Sequence, residues 1–107
     1  MRRGDFVTVA IQGDVGKPRP ALVVQANQFD GLATLTVLPV TSAIVDAPLL
    51  RLTVEPDERN GLARRSQVMI DKIITVRRDK VGPAFGAAGD ELMLAVNRAL
   101  LVFLGIA

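Results

Sequence analysis

The stretch DELMLAVNRALLVFLG, residues 90–105, differs in pattern from everything before it and determines the predicted fold class. Asp90 is expected to cap the N-terminus of a helix, and Gly105, just past the last apolar residue, is expected to end it. One helical face carries Leu92, Val96, Leu100 and Phe103, and the apolar surface extends around it through Met93, Ala99, Leu101 and Leu104. A helix this apolar is usually buried on more than one side. Either a partner subunit provides the second cover, or the helix lies deep against one strongly curved sheet.

Upstream of this helix the sequence has the pattern of five to seven short strands. Alternating or β-branched segments occupy residues 5–11, 21–25, 32–40, 49–55 and 66–76, and residues 77–89 have room for one more short strand. The segment 66–76 is expected to bend around Asp71 and Lys72. Pro39 argues for an edge strand or a strand end, because proline cannot donate to a ladder. We therefore expect a mainly β chain, one domain over residues 1–107, that forms a small curved β-barrel with a C-terminal helix.

The amino-acid composition removes several kinds of chemistry. The chain has no cysteine, which excludes disulfides and thiolate metal sites, and no histidine, which excludes the usual general base. We expect neither a metal nor a cofactor, so that any catalysis has to use Arg, Lys, Asp, Glu, Ser or Thr. The longest apolar run, residues 99–104, is far shorter than the roughly 20 residues that span a bilayer. The start of the chain lacks the apolar segment of a signal peptide, and the prediction is a cytoplasmic protein without a membrane partner.

Charge is distributed unevenly along the chain. The net charge is only +2, yet residues 59–80 contain seven Lys or Arg against two Asp. This basic segment either attracts a polyanion or forms a solvated hairpin without a ligand. Four Phe, with no Tyr and no Trp, leave few side chains for stacking on bases.

An arginine between two prolines is the first candidate for chemistry. Pro18 and Pro20 hold the backbone around Arg19 extended before any tertiary contact forms. This restriction lowers the entropy cost of aiming the guanidinium at a phosphate or a carboxylate. The alternative is a structural arginine that pairs with an acid or covers apolar surface with its stem.

Two further polar positions interrupt or follow apolar strands. Thr41 and Ser42 stand directly after a strand, where their hydroxyls either face a barrel rim or bond the backbone of the next turn. Asp71 interrupts an apolar run, and a partly buried carboxylate needs a partner. That partner is either Lys72 or an arginine in a structural ion pair, or a group in a site.

The ordered blocks of the chain resemble the MazF/PemK family of toxins from toxin–antitoxin pairs. These blocks are RRGDFVTVAI, GKPRPALVVQ, TVLPVTS, SQVMIDKIITV and ELMLAVNRALLVFLG, and the resemblance runs from residue 3 to residue 104. It implies an SH3-like barrel of the CcdB/MazF type and a homodimer. It also implies a metal-independent, sequence-selective endoribonuclease that is neutralised by a cognate antitoxin.

Two residues match positions that this family uses in catalysis. The arginine of its RP motif falls on Arg19, and the threonine of its strand-end TS falls on Thr41. The loop before the RP motif is shortened to QGDVGK, and Met69 stands where some relatives carry an arginine.

The resemblance also implies a reaction in which the RNA supplies its own nucleophile. The 2′-hydroxyl of single-stranded RNA attacks the neighbouring phosphorus and leaves a 2′,3′-cyclic phosphate and a 5′-hydroxyl end. Arg19 would stabilise the charge that develops on the phosphate, and Thr41 would bond a phosphate oxygen or orient the reacting group. Asp71 is a candidate base, and Asp14 is a second one. The RNA would be held by Lys17, Ser42, Arg64, Arg65 and Lys72.

Two other functions fit the same fold class. One is a non-catalytic, CcdB-like toxin that inhibits gyrase and docks through the apolar helix. The other is an SH3-like module that binds RNA or protein without cutting.

Overall fold

Seven antiparallel strands and one C-terminal helix make up the chain, as a computed structural model shows for residues 1–11 and 17–106. The strands are β1 (Asp5–Ala10), β2 (Pro18–Val23), β3 (Thr34–Thr41), β4 (Arg51–Val54), β5 (Ser66–Met69), β6 (Ile74–Arg77) and β7 (Val81–Ala87), and the helix is α1 (Asp90–Phe103). Single 3-10 turns lie at Asn27–Phe29, Ile70–Lys72 and Arg78–Lys80. The mainly β class and the terminal helix are thus confirmed, and so is the bend at Asp71 and Lys72.

The strand order is β4-β5-β3-β2-β1-β7, and β6 pairs with β3 beside this path. β4 and β7 are the two ends of the path, so the ladders of the described residues do not close. Closure into a barrel therefore stays a prediction.

β3 is an interior strand. On one side it pairs with β2, and on the other it pairs first with β6, through residues 34–37, and then with β5, through Val40 and Thr41. Pro39 lies where β3 exchanges β6 for β5. Of the two positions expected for Pro39, the edge strand is wrong, whereas the strand end is close to what is observed, two residues before the end of β3. A change of ladder partner inside the sheet also accommodates a residue that cannot donate.

β2 begins earlier than the sequence suggests. The predicted strand started at Ala21, whereas the observed one starts at Pro18, with Arg19 opposite Val9 of β1. β1 pairs with residues 18–22 of β2, but β3 pairs only with residues 21–23. The segment around Arg19 therefore extends past its ladder with β3, where proline costs no hydrogen bond on that side.

Both faces of the β1–β2–β3 sheet are buried. Side chains alternate between the faces, so that Phe6 and Leu22 join one apolar cluster while Val7 and Val23 join the other. The first cluster receives α1 through Val96, with Leu92, Met93, Ala99 and Leu100 packed around it. This sandwiched sheet holds the ends of β2 and β3 in place.

The two ends of α1 use different devices. Gly89, not Asp90, is the N-cap residue, and Asp90 lies in the first turn, where a negative charge favours the helix dipole. At the other end Gly105 has a φ of 73°, its N–H bonds the carbonyl of Val102, and the N–H of Ile106 bonds the carbonyl of Leu101. This Schellman motif confirms Gly105 as the stop signal.

The far side of α1 is uncovered within one chain. Exposed apolar side chains at and after the helix are Leu94, Leu101, Val102, Phe103, Leu104 and Ile106. Burial on more than one side is thus not achieved by this chain alone.

No helix in the described part of the chain is long and apolar enough to cross a membrane.

Candidate active site

A cleft of about 460 Å³ opens where β2 begins and β3 ends. Its lining includes four of the residues predicted for the site, namely Arg19, Thr41, Ser42 and Arg64. The remaining wall comes from Ile11, Pro20, Pro39, Val40, Leu62, Ala63, Ser66 and Met69. The structure therefore brings the two predicted catalytic positions into one cavity.

Strand register explains why Arg19 and Thr41 meet. β2 and β3 run antiparallel with Ala21 opposite Pro39. The same register, continued two residues, sets Arg19 opposite Thr41 at the rim. Directly opposed residues of antiparallel strands project to the same face. The proximity of two residues that are 22 apart in sequence thus follows from one strand register.

Thr41 is held by the turn that follows it. Its Oγ1 accepts a hydrogen bond of 3.1 Å from the backbone N–H of Ala43. The alternative that this hydroxyl bonds the next turn is thus confirmed. Accepting that bond uses a lone pair and not the proton, so the hydroxyl can also donate to a substrate oxygen. Both roles proposed for Thr41 from sequence are compatible with one geometry.

The cleft favours an anion. Its charged lining residues are the arginines Arg19 and Arg64, and among the described residues no carboxylate lines it. Hydroxyls of Thr41 and Ser42 supply further donors, whereas the hydroxyl of Ser66 donates to the carbonyl of Arg64 at 2.8 Å. Arg19 and Arg64 are both exposed, so that their guanidiniums are accessible from solvent. Planar guanidinium groups match the oxygens of a phosphate.

Asp71 lies outside this lining. Its carboxylate bonds the guanidinium of Arg51 and lies 3.9 Å from Nζ of Lys72. The side chains of Arg51 and Asp71 are only 16% and 21% exposed. Of the alternatives that the sequence left open, the structure shows the ion pair. Asp14, the second candidate base, lies outside the described residues.

The other predicted RNA-binding cations are spread over the surface. Arg65 forms an ion pair of 2.8 Å with Glu55 and lines a larger cleft of about 830 Å³, between β4 and the start of α1. Lys72 neighbours Asp71, and Lys17 is exposed just before β2. Within the basic segment 59–80, Arg77 pairs with Asp79, and Arg78 pairs with Asp30. Acids within the segment and before it therefore offset part of its charge.

Two buried polar side chains hold segments beside the cleft in place, and neither stands out in the sequence. Gln67 is 3% exposed and bonds both backbone groups of Val45. Asn60 is also 3% exposed; its Oδ1 accepts from the N–H groups of Asp57 and Leu62, and its Nδ2 donates to the carbonyl of Glu55. Asn60 thereby folds the segment that leads to Leu62 and Arg64. The signal for Asn60 in the sequence is the Asn-Gly pair at residues 60–61, but such a pair indicates a turn and not a buried amide.

Comparison with known proteins shows the family of this chain. The family model of the PemK-like, MazF-like toxins of type II toxin–antitoxin systems matches residues 2–104. The chain belongs to this family. It is 48% identical over 108 residues to a protein of Mycolicibacterium smegmatis named probable endoribonuclease MazF, a match that covers 100% of this chain and 99% of the relative. The resemblance stated from the sequence blocks is confirmed.

Solved structures of the same family share the fold. One is an endoribonuclease in complex with its cognate antitoxin from a mycobacterial species, with a TM-score of 0.83 and 23% identity over 100% of this chain and 97% of that one. Another is the Mycobacterium tuberculosis toxin MazF-mt6, with a TM-score of 0.81 and 20% identity over 94% of this chain and 96% of that one. A third is a MazE–MazF structure from Deinococcus radiodurans, with a TM-score of 0.79 and 22% identity over 100% and 98% of the two chains. The MazF-like fold is thus established.

Proposed function

We propose that this chain is an endoribonuclease toxin that cuts single-stranded RNA in the cleft between Arg19 and Thr41. The activity is the one named for the 48% identical relative. The single observation that carries the site is that both side chains line one cavity whose charged groups, in the part of the chain that the structure describes, are arginines. A site with that lining suits a phosphodiester better than any neutral or cationic substrate.

The reaction that suits these residues is an internal transesterification. The 2′-oxygen forms a new bond to phosphorus, the bond from phosphorus to the 5′-oxygen breaks, and the proton of the 2′-hydroxyl leaves as a proton reaches the 5′-oxygen. The products are a 2′,3′-cyclic phosphate and a 5′-hydroxyl end. Because the nucleophile belongs to the substrate, the protein needs to supply only orientation, charge stabilisation and proton transfer.

Arg19 has the principal role in this mechanism. The phosphate gains negative charge as it becomes five-coordinate, so a guanidinium on its non-bridging oxygens binds the transition state more strongly than the ground state. Thr41 donates its hydroxyl proton to a phosphate oxygen while Ala43 keeps its Oγ1 in position. Arg64, on the same wall, holds an adjacent phosphate of the strand.

We also propose a homodimer and a cognate antitoxin as protein partners. The homodimer is supported by the exposed apolar end of α1, which a second copy would cover. The antitoxin is supported by the solved relatives, one of which is described as an endoribonuclease in complex with its cognate antitoxin and another as MazE–MazF.

The test is incubation of the purified chain with defined single-stranded RNA oligonucleotides, followed by analysis of the ends. Cyclic-phosphate and 5′-hydroxyl ends, formed equally with and without EDTA, are expected. RNA that is bound but left intact would instead favour a binding module. Inhibition of gyrase supercoiling without RNA cleavage would favour the gyrase-inhibiting alternative.

A further inference from the structure

We propose that Gln67 is a positioning residue for Thr41 and acts through the turn that follows β3. This inference rests on the RNA-cleaving function proposed above. Gln67 does not touch the substrate in this account. Its effect on the reaction passes through the backbone of residues 41–45.

Gln67 connects three strands through its backbone, and its side chain bonds the turn that follows β3. On β5, Gln67 is the ladder partner of Thr41 on β3 and of Thr53 on β4. Its Oε1 accepts from the N–H of Val45 at 3.1 Å, and its Nε2 donates to the carbonyl of Val45 at 3.0 Å. The Nε2 also donates to Oγ1 of Thr53 at 3.2 Å. With 3% exposure, this amide makes its bonds away from water.

The turn from Thr41 to Val45 is therefore closed on Gln67 at both ends. The backbone of Thr41 lies opposite Gln67 in the ladder, and the backbone of Val45 is bonded by its side chain. Between these two points the N–H of Ala43 donates to the hydroxyl of Thr41. The direction of the Thr41 hydroxyl is thus coupled to the path of a turn that Gln67 fixes.

A glutamine meets this requirement because it offers one acceptor and one donor in the geometry of a peptide group. Methionine at position 67 would keep the length of the side chain but would remove both hydrogen bonds that hold the backbone of Val45. Val45 itself is 48% exposed, so the turn would lose its anchor to the buried strand. Glutamate would keep the acceptor, lose the donor and add a buried charge. A displacement of about 1 Å at a reacting group can cost about 100-fold in rate.

The experiment measures kcat and KM of the full chain on one RNA oligonucleotide for Gln67→Met and Gln67→Glu. We expect kcat to fall by about 10- to 100-fold in both variants, with KM within about twofold, because the arginines that bind phosphate are untouched. Thr53→Val is the matched control, since it removes only the third partner of the amide, and it should keep the kcat of the unchanged chain. A loss in Thr53→Val equal to that in Gln67→Met would overturn the proposal.

A double-mutant cycle with Thr41→Ala separates positioning from a general structural role. If Gln67 acts through Thr41, Gln67→Met costs nothing further in the Thr41→Ala background, whereas independent effects multiply. Exchange of the Val45 amide should also accelerate in Gln67→Met, which removes the acceptor of that N–H, but not in Gln67→Glu, which keeps it. Multiplicative losses, or unchanged exchange at Val45 in Gln67→Met, would overturn the proposal. Full activity in Thr41→Ala would instead refute the proposed site itself.

Discussion

The carboxylate of Asp71 bonds the guanidinium of Arg51 and so joins the turn between β5 and β6 to the first residue of β4. The neighbouring N–H of Ile70 bonds the carbonyl of Leu50 at 2.9 Å, and Arg51 lies opposite Met69 in the β4–β5 ladder. Asp71 therefore stabilises the β4–β5 ladder beside the cleft without lining the cleft itself. We assign it a structural role and leave it out of the mechanism.

Replacing Asp71 with asparagine should lower stability more than catalysis. The change leaves a guanidinium that is only 16% exposed without its counter-charge, so the free energy of unfolding should fall by about 1.5–3 kcal/mol. Urea denaturation at fixed protein concentration measures this change. Asp79→Asn is the control, because Asp79 and Arg77 are 56% and 73% exposed and such pairs contribute about 0–1 kcal/mol. A 100-fold loss of kcat in Asp71→Asn at unchanged stability would show that Asp71 is the base.

Thr41→Val tests the hydroxyl at the end of β3. Valine keeps the branched shape and removes the group that bonds Ala43 and the proposed phosphate. The kcat should fall by about 100- to 1,000-fold, the usual cost of losing one donor to a developing oxyanion. Thr41→Ser, which retains the hydroxyl, should recover most of the rate in the same assay. Equal activity of the two variants would exclude a role for the hydroxyl.

Chelation should leave RNA cleavage unchanged. Among the described residues, the charged groups that line the cleft are arginines, which repel a divalent cation, and the proposed nucleophile belongs to the RNA. Initial rates with millimolar EDTA should agree within about twofold with rates in added Mg²⁺ at matched ionic strength, because salt alone weakens RNA binding. Loss of cutting on chelation, restored by the metal, would contradict this mechanism.

Gly86→Ala should strongly destabilise the chain. A Cβ at Gly86 would overlap the backbone carbonyl of Asn60, and backbone atoms cannot move aside as a flexible side chain can. The expected loss is at the upper end of the about 1–3 kcal/mol that overpacking costs. Gly31→Ala is the matched control, since nothing lies within 4 Å of its added Cβ. Equal unfolding midpoints for the two variants would show that the backbone of Asn60 does not lie against Gly86.

Local patterns predicted much of this molecule. Alternation predicted the strands, the stripe on residues 92–103 predicted the helix, and the order of the blocks predicted that Arg19 and Thr41 share a site. What the sequence left open or missed depends on partners distant in sequence. The ion pair was one of the alternatives for Asp71, and it is decided by an arginine 20 residues away. Gln67 was missed, because it bonds a turn 22 residues away. The early start of β2 likewise depends on β1, because local turn residues argued for a loop at Pro18.

The most direct test of the central claim is the single-turnover cleavage rate of Arg19→Ala beside that of Arg77→Ala. Each change removes one positive charge from an exposed arginine, but Arg77, the last residue of β6, is not among the residues that line the cleft. We predict that Arg19→Ala loses at least about 1,000-fold in rate, as expected for an arginine on a transferring phosphate, and that Arg77→Ala keeps the rate of the unchanged chain. Circular dichroism should show both variants folded. An unimpaired rate in Arg19→Ala would contradict the account.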